Sequence, residues 1–200
     1  MAQLTKTSTS LLIGLHDPAD ERTWRAFDTR FRPILLVVAR KLGLDHQDAA
    51  DATQETLLKF LSEYRAGRYE RSRGRLRSWI LGILKYRVAD LKRAKGRRRE
   101  ARGESAIVNL PEDRELDALW HSARRAAILR QARKELLEHS HLAEKTLLAF
   151  DAYVLRGQPA EQVAQELDMS VNSVYVAKNR VAEKLRDIVT DLEQVYDEDL

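Results

Sequence analysis

The sequence predicts an all-α protein made of two small helical domains joined by a flexible linker. Only 8 Gly and 4 Pro occur among the 200 residues, and long stretches contain neither, which favours helices over turns and strands. Apolar residues recur at helical spacing along most of the chain. One internal segment, residues 96–114, loses this spacing and contains Pro111. We therefore predict a linker at 96–114, between a first domain over 20–95 and a second domain over 115–190.

The first domain begins with two predicted helices. A helix at about 20–42 is predicted because apolar residues recur there at helical spacing, namely Phe27, Phe31, Ile34, Leu35, Val38 and Leu42. Gly43 favours a helix end at this point. Either Asp45 or Asp48 is suited to cap a second helix at about 48–65.

The rest of the chain is assigned by the same criteria. A basic loop over 67–75 leads into a third helix at about 76–95. Four helices are predicted in the second domain, at about 115–139, 142–155, 160–167 and 171–189. Residues 1–19 are assigned to an N-terminal tail, and the acid-rich residues 191–200 to a C-terminal tail.

Composition argues against several classes of protein. The chain has no cysteine, which excludes disulfide bonds and thiolate chemistry. It has no apolar run near the roughly 20 residues that a membrane-spanning helix needs, and its N-terminal apolar run is too short for a signal peptide. The sequence therefore predicts a cytoplasmic protein with no membrane partner. Its five histidines are scattered and no glycine-rich phosphate loop occurs, so we predict no enzymatic activity, no metal and no cofactor.

Basic residues are concentrated in one part of the chain. The net charge is only +4, yet fifteen Lys and Arg lie between Arg65 and Arg102, against three acids. Residues 187–200 hold six acids and neither Lys nor Arg. Such segregation indicates a polyanion partner for the middle of the chain. A flexible basic linker is the alternative, but apolar residues such as Trp79 and Ile83 lie inside the basic stretch.

The second domain contains a pattern typical of a helix-turn-helix. In "VAQELDMSVNSVYVAKNRVAEKL" the residues "DMS" form a short turn, where Asp168 suits a left-handed backbone and Ser170 suits a helix cap. The buried seam predicted for the following helix is Val174, Ala177, Val181 and Leu185. The opposite face is predicted to read DNA, because Asn bonds adenine edges and Arg guanine edges. Its members are Asn172, Ser173, Tyr175, Val176, Lys178, Asn179 and Arg180. A solvated face in a small helical bundle is the alternative.

The first domain contains two distinctive segments, "DAADATQETLLKFL", residues 48–61, and "GRLRSWILGILKYRVADLKR", residues 74–93. They resemble the hallmark segments of the extracytoplasmic-function (ECF) class of RNA polymerase sigma factors. The resemblance covers about residues 11–192. It implies a sigma region 2 bundle followed by a sigma region 4 helix-turn-helix that reads the minus-thirty-five promoter element. The implied function is promoter recognition and transcription initiation. The implied partners are promoter DNA and the clamp helices of the largest subunit of the polymerase core.

The second predicted helix has an apolar stripe, formed by Leu57, Phe60, Leu61 and Tyr64. A mixed set of residues shares another face of this helix, nearly at right angles to the stripe. The set is Asp51, Gln54, Glu55, Leu58 and Ser62. An apolar centre with charge around it suits a protein interface, and the resemblance implies that the partner is polymerase. This implication requires the face to be exposed, because buried side chains could not meet an outside protein.

The basic loop and the third predicted helix are the implied contacts of the minus-ten promoter element. Proteins capture unpaired bases with basic grooves and stacking surfaces. The residues assigned to this contact are Arg68, Tyr69, Arg73, Arg75, Arg77, Lys85, Tyr86, Arg87, Lys92 and Arg93. Trp79 is assigned to the core instead, because Ile83 and Tyr86 continue its stripe.

Two threonines suggest a regulatory hypothesis. Ala50 stands where the resembling class often has an acid, and a phosphate on Thr53 or Thr56 would supply about −1.5 to −2 charges. The helical wheel turns Thr53 towards the apolar stripe, which argues against that site. The sequence leaves open whether a Ser/Thr kinase, an anti-sigma factor or the expression level regulates the protein. Two other functions also stay open: a stand-alone helix-turn-helix transcriptional regulator, and a helical adaptor that does not touch DNA.

Overall fold

The computed structural model describes residues 8–70, 72, 74–100 and 110–196 of the chain. These residues form eight α-helices and no β-strand, which confirms the predicted all-α fold. The helices are α1 (Ser8–Gly14), α2 (Glu21–Lys41), α3 (His46–Arg65), α4 (Leu76–Glu100), α5 (Asp113–His139), α6 (Glu144–Phe150), α7 (Ala160–Glu166) and α8 (Val171–Val195), with a π-helical segment, Asp151–Leu155, directly after α6. Across the described ranges, no helix combines the length and apolar character that crossing a membrane requires.

Contacts between Cα atoms divide the chain into two units, Met1–Ala127 with Val195–Leu200, and Ile128–Gln194. The division falls inside α5. Helix α4 continues beyond its predicted end, into the segment assigned to the linker, and residues 101–109 of that segment lie outside the described residues. The domain bounds that we predict from the sequence stay a prediction.

Helices α2, α3 and α4 pack together in the first unit. An aromatic cluster joins α2 to α3: the ring centroid of Phe27 lies 4.3 Å from that of Phe31 and 4.8 Å from that of Phe60. All three rings are buried. Asp45 caps α3, because its side chain accepts a hydrogen bond from the Asp48 N–H at 2.9 Å. This packing decides which faces of α3 and α4 remain at the surface.

The segment assigned to an N-terminal tail contains helix α1. Leu11 and Leu15 of this segment are buried. The Tyr64 hydroxyl donates to the Leu12 carbonyl at 3.0 Å, and Arg65 Nε donates to the Leu15 carbonyl at 2.9 Å. A helix of this length is unstable by itself, so periodicity gave no signal for it. Packing against α2, together with these hydrogen bonds from α3, is what stabilises α1.

The first half of α5 and the end of the chain belong to the first unit. Helix α5 buries an apolar stripe at helical spacing, formed by Leu116, Trp120, Ala123 and Ala127. The Trp120 ring centroid lies 6.1 Å from that of Phe31. Tyr196 is buried as well: the Arg30 guanidinium lies 5.5 Å from its ring centroid, and Arg124 Nε donates to its carbonyl at 3.2 Å. Residues at the C-terminal end of the described chain are therefore anchored in the first unit.

The second unit contains α7, the turn after it and most of α8. Its core consists of small residues, namely Ala149, Ala152, Ala160, Val163, Ala164, Val174 and Ala177. Asp168 adopts a φ of 45° in the turn, the left-handed conformation predicted for it. Ser170 Oγ accepts a hydrogen bond from the Ser173 N–H at 3.1 Å, which confirms the predicted cap of α8.

Candidate polymerase and DNA interfaces

The residues predicted to face polymerase all lie at the surface of α3. They are Asp51, Gln54, Glu55, Leu58 and Ser62, and each is exposed. Leu58 keeps 51% of its surface accessible although it is apolar. Ala52, Leu57 and Phe60 bury the other side of the helix. The condition that we set for an external partner is therefore met.

Cations from two neighbouring helices contact this face. Arg32 of α2 donates from Nη2 to Gln54 Oε1 at 2.5 Å, and from Nε to the Asp28 carboxylate at 2.9 Å. The hydrogen bonding with Asp28 is the main cause of a raised pKa at Arg32. Arg87 of α4 holds its Nε 3.4 Å from Glu55 Oε2. Gln54 and Glu55 are thus oriented by cations of the same unit.

The residues assigned to the minus-ten element differ widely in exposure. Arg68, Arg75, Tyr86 and Arg93 are exposed, whereas Tyr69, Lys85, Arg87 and Lys92 are half-buried. Arg77 is buried, with 9% of its surface accessible, so it does not face DNA in this conformation. Arg73 lies outside the described residues.

A pocket of about 500 Å³ opens between α3 and α4. Its walls are Lys59, Ser78, Trp79, Gly82, Ile83, Tyr86 and Arg87. A Cβ atom added to Gly82 would meet no other atom within 4 Å, so the pocket is open at this point. The Trp79 ring packs edge-on against Phe60 at 5.4 Å and stacks on Tyr69 at 5.3 Å between centroids. Trp79 therefore belongs to both the core and the pocket wall, whereas the sequence assigned it to the core alone.

Lys59 is a pocket residue that the sequence prediction missed. Its Nζ lies 2.8 Å from Glu63 Oε1, one helical turn further on. A helical wheel could have indicated its position, because Lys59 lies four residues after Glu55 and four before Glu63, and so between two acids on one face of the helix. The prediction considered the apolar stripe and the polymerase-facing set, and Lys59 belongs to neither.

Some cations of the minus-ten set pair with acids of their own or the preceding helix. Arg68 Nη1 lies 3.0 Å from Glu63 Oε1, and Arg93 Nη1 lies 3.0 Å from Asp90 Oδ1. The hydrogen bond from Lys59, followed by the charges of Lys59 and Arg68, lowers the pKa of Glu63. The Glu63 carboxylate therefore stays ionised and holds two cations close to the pocket.

Two other cations of this set pair with acids at the start of α5. Lys85 Nζ lies 2.9 Å from Asp113 Oδ1, and Arg77 Nε lies 3.4 Å from Asp117 Oδ1. The sequence prediction missed both acids. Asp113 fell in the predicted linker and Asp117 in the predicted second domain, so neither was considered as a neighbour of α4.

Thr53 and Thr56, the residues of the phosphorylation hypothesis, are both fully buried. The Thr56 hydroxyl donates to the Ala52 carbonyl at 2.7 Å, and the Thr53 hydroxyl has no hydrogen-bond partner among the described residues. A doubly charged phosphate in an apolar helix interface is strongly unfavourable. Burial therefore argues against phosphorylation at either site, because a kinase reaches neither hydroxyl in this fold.

The residues predicted to read DNA lie on the outer side of α8. Asn172, Tyr175, Val176, Lys178, Asn179 and Arg180 are exposed, and Ser173 is half-buried. Tyr175 packs edge-on against Tyr153 at 5.7 Å between centroids and keeps 42% of its surface accessible. Ser173 Oγ lies 2.7 Å from Ser170 Oγ. Ser173 is thus engaged in the helix cap, and the other six residues form the accessible part of this face.

Residues 27–98 match the model of the Sigma-70 region 2 family. The matched segment contains most of α2, all of α3 and nearly all of α4, and so includes the exposed α3 face and the pocket. The matched segment is thus similar to region 2 of the sigma-70 family, whose members are transcription initiation factors that act in promoter recognition by RNA polymerase. Binding to the polymerase core and to promoter DNA is what this family implies. A comparison with curated proteins gave no match.

Proposed function

We propose that the chain is an ECF sigma factor of the cytoplasm. It binds the polymerase core through α3, captures the minus-ten element with α4, and reads the minus-thirty-five element with the helix-turn-helix of α7 and α8. One observation carries the proposal. The exposed mixed face of α3 borders a pocket with aromatic and basic walls, so one small domain offers a protein-binding face and a DNA-binding surface together.

In the proposed contact with polymerase, Leu58 is the apolar centre. Interfaces concentrate their binding energy in a central group that surrounding polar residues shield from water. Asp51 and Glu55 give the rim a negative charge, which suits a basic partner. The proposed partner is the pair of clamp helices in the largest subunit of the core enzyme.

In the proposed contact with minus-ten DNA, the pocket between α3 and α4 takes an unpaired base. Tyr86 keeps 63% of its surface accessible and offers a face for stacking, worth about 1–3 kcal/mol per base. Lys59 and Arg87 line the same pocket and attract the neighbouring phosphates. The open side at Gly82 gives the base a way in.

In the proposed contact with minus-thirty-five DNA, α8 lies in the major groove. Asn172, Asn179 and Arg180 are exposed and carry the donors and acceptors that distinguish base edges. Tyr175 and Val176 offer apolar contact to thymine methyl groups. This geometry agrees with a recognition helix, which reads bases mainly through its N-terminal turns.

Reconstitution with core polymerase tests the proposal. Core binding and run-off transcription from a candidate promoter are measured for wild type, Leu58→Glu and Ile13→Glu. Ile13 is the matched control, since it is an exposed apolar residue of α1, 69% accessible and outside the proposed face. We expect Leu58→Glu to weaken core binding at least about tenfold, as for a central interface residue, and Ile13→Glu to have no effect.

Other results would identify the alternatives. A chain that binds duplex DNA alone and never supports initiation is a stand-alone helix-turn-helix regulator. A chain that does neither is an adaptor. Equal core binding by Leu58→Glu and wild type would remove α3 from the polymerase interface.

A further inference from the structure

We infer that the first half of α5, residues 113–127, is an autoinhibitory cover of the minus-ten surface. In the free protein it occupies Arg77 and Lys85, and it must leave before these two cations can bind promoter DNA. The inference rests on the proposed function, because it assigns a regulation to the same surface of α4.

An apolar anchor holds the cover on the first unit. Leu116 and Trp120 are 3% and 0% accessible, and the Trp120 ring lies 6.1 Å from Phe31 of α2. Burying an aromatic side chain of this size removes a large apolar area from water, which is the main force that keeps such a contact closed. The anchor thus sets where the first two turns of α5 lie.

Two carboxylates of the cover then take the place of phosphates. Asp113 contacts Lys85 at 2.9 Å, and Asp117 contacts Arg77 at 3.4 Å. Carboxylate and phosphate oxygens are both anionic acceptors for Lys and Arg donors. Spaced four residues apart, the two acids lie on one face of α5, so one helix engages both cations.

The two cations that pair with α5 are also less accessible than two cations that pair with acids elsewhere in the first unit. Side-chain exposure is 10% for Arg77 and 30% for Lys85, against 65% for Arg68 and 54% for Arg93. Arg77 in particular is buried and paired with Asp117 in this conformation, so a phosphate cannot reach it. The minus-ten surface of the free protein is therefore only partly available.

The cover is suited to reversible release. The Asp113 side chain is 95% exposed and that of Asp117 41%, and exposed ion pairs contribute little to stability and are screened by salt. The burial of Leu116 and Trp120 is then the main interaction that keeps the cover in place. A partner that binds the uncovered form better than the covered form shifts the protein towards the uncovered form, and the polymerase core is the proposed partner.

DNA binding by the full-length protein without polymerase tests the cover. The probe is a labelled forked promoter DNA with a single-stranded minus-ten region, titrated at several salt concentrations. The test variant is Asp113→Asn with Asp117→Asn. The matched control is Glu112→Gln with Glu115→Gln, which removes the same charge from the first turn of α5 and from the residue just before it. Among the described residues, Glu112 and Glu115 form no ion pair with Lys or Arg.

We expect the test variant to bind the probe about threefold to tenfold more tightly than wild type, since two exposed ion pairs no longer compete. The dependence of its affinity on salt should also become steeper, by up to about 1.4 in logarithmic slope for two added single-strand phosphate contacts. The control should change neither quantity. Adding Lys85→Ala to the test variant should remove much of the gain.

Equal affinities of the test variant and the control would overturn the cover. Run-off transcription with core polymerase separates this failure from that of the proposed function. Initiation by wild type together with unchanged DNA affinity of the test variant refutes the cover alone. Absence of initiation by every variant refutes the proposed function, while the DNA comparison still decides whether α5 blocks the α4 surface.

Discussion

The two helices that we propose bind DNA, α4 and α8, differ in how many of their cations already form ion pairs within the protein. On α4, Arg77, Lys85 and Arg87 each lie within 3.4 Å of a carboxylate of the same unit. On α8, Lys178 and Arg180 are exposed, and neither pairs with an acid within the part of the chain that the structure describes. Lys178 and Arg180 of α8 can therefore bind a phosphate without breaking an ion pair. The three cations of α4 must first lose their carboxylate partners. The difference suggests an order of events, with duplex reading available before the minus-ten contact is complete.

The largest expected effect is on the free energy of unfolding, compared between the loss of Trp120, which anchors α5, and the loss of Tyr175, which lies at the α8 surface. Trp120→Ala removes a fully buried ring and should lower the free energy of unfolding by about 3–5 kcal/mol. Tyr175→Ala truncates a 42% accessible ring and should lower it by about 1 kcal/mol or less. Urea unfolding followed by circular dichroism measures both. Equal losses would mean that the α5 contact is not the anchor described above.

The second prediction compares the DNA affinities of two variants of the free protein, one that lacks a cation of α8 and one that lacks a cation of α4. Arg180→Ala should weaken binding to duplex promoter DNA by about 1–3 kcal/mol, the usual range for a base-reading arginine. Lys85→Ala should leave the affinity of the free protein for forked DNA nearly unchanged, because Asp113 already occupies this side chain. Fluorescence anisotropy with both DNAs checks the pair of variants. A clear loss with Lys85→Ala would show that α4 is as available as α8.

A smaller effect concerns the ion pair between the two proposed interfaces of the first unit. Glu55→Gln removes the partner of Arg87 and should strengthen binding to single-stranded DNA by about 0.2–1 kcal/mol, the value of an exposed pair. Asp51→Asn is the control, since it removes the same charge from the same face and Asp51 pairs with no cation among the described residues. If both variants gain affinity equally, the cause is overall charge and not the release of Arg87.

The smallest expected effect is on acid stability. The pKa of Glu63 is lowered in the fold from a reference value of 4.5, mainly by the hydrogen bond from Lys59. A lowered carboxyl pKa contributes stability above the unfolded-state pKa, and the contribution is lost as pH falls through the folded-state pKa. Glu63→Gln should therefore flatten the loss of stability below about pH 4.5, by about 1 kcal/mol or less. Thermal unfolding between pH 3 and 7 measures this, with Glu183→Gln on α8 as the control; a similar flattening in the control would contradict the assignment.

Periodicity was sufficient to predict most of the fold. The apolar residues of α2 and the turn at Asp168 were foreseen, and the cap of α3 was narrowed to Asp45 or Asp48, because each depends on neighbours within a few positions. The exposed face of α3 followed from the same helical wheel. Helix α1 escaped prediction because it is short and is stabilised by packing on α2 and by hydrogen bonds from α3, which are contacts with residues distant in the sequence.

Long-range contacts of the candidate site could not be predicted. Lys85 meets Asp113, 28 positions away in the sequence, and Arg77 meets an acid of the same helix as Asp113. No local spacing rule connects such partners, so the sequence showed a basic surface but not its cover. Burial of Thr56 was hidden for a similar reason, since a wheel gives the direction of a side chain but not the depth of the neighbours around it.

Anchoring of Tyr196 in the first unit has a mechanical consequence. Arg30 and Arg124 contact this residue, and α1, near the N-terminal end of the described chain, also belongs to the first unit. In the sequence, the second unit is therefore inserted within the first unit. Stretching the molecule from its two ends should therefore load the first unit initially. Tension should reach the second unit only after the tyrosine has been pulled from its site.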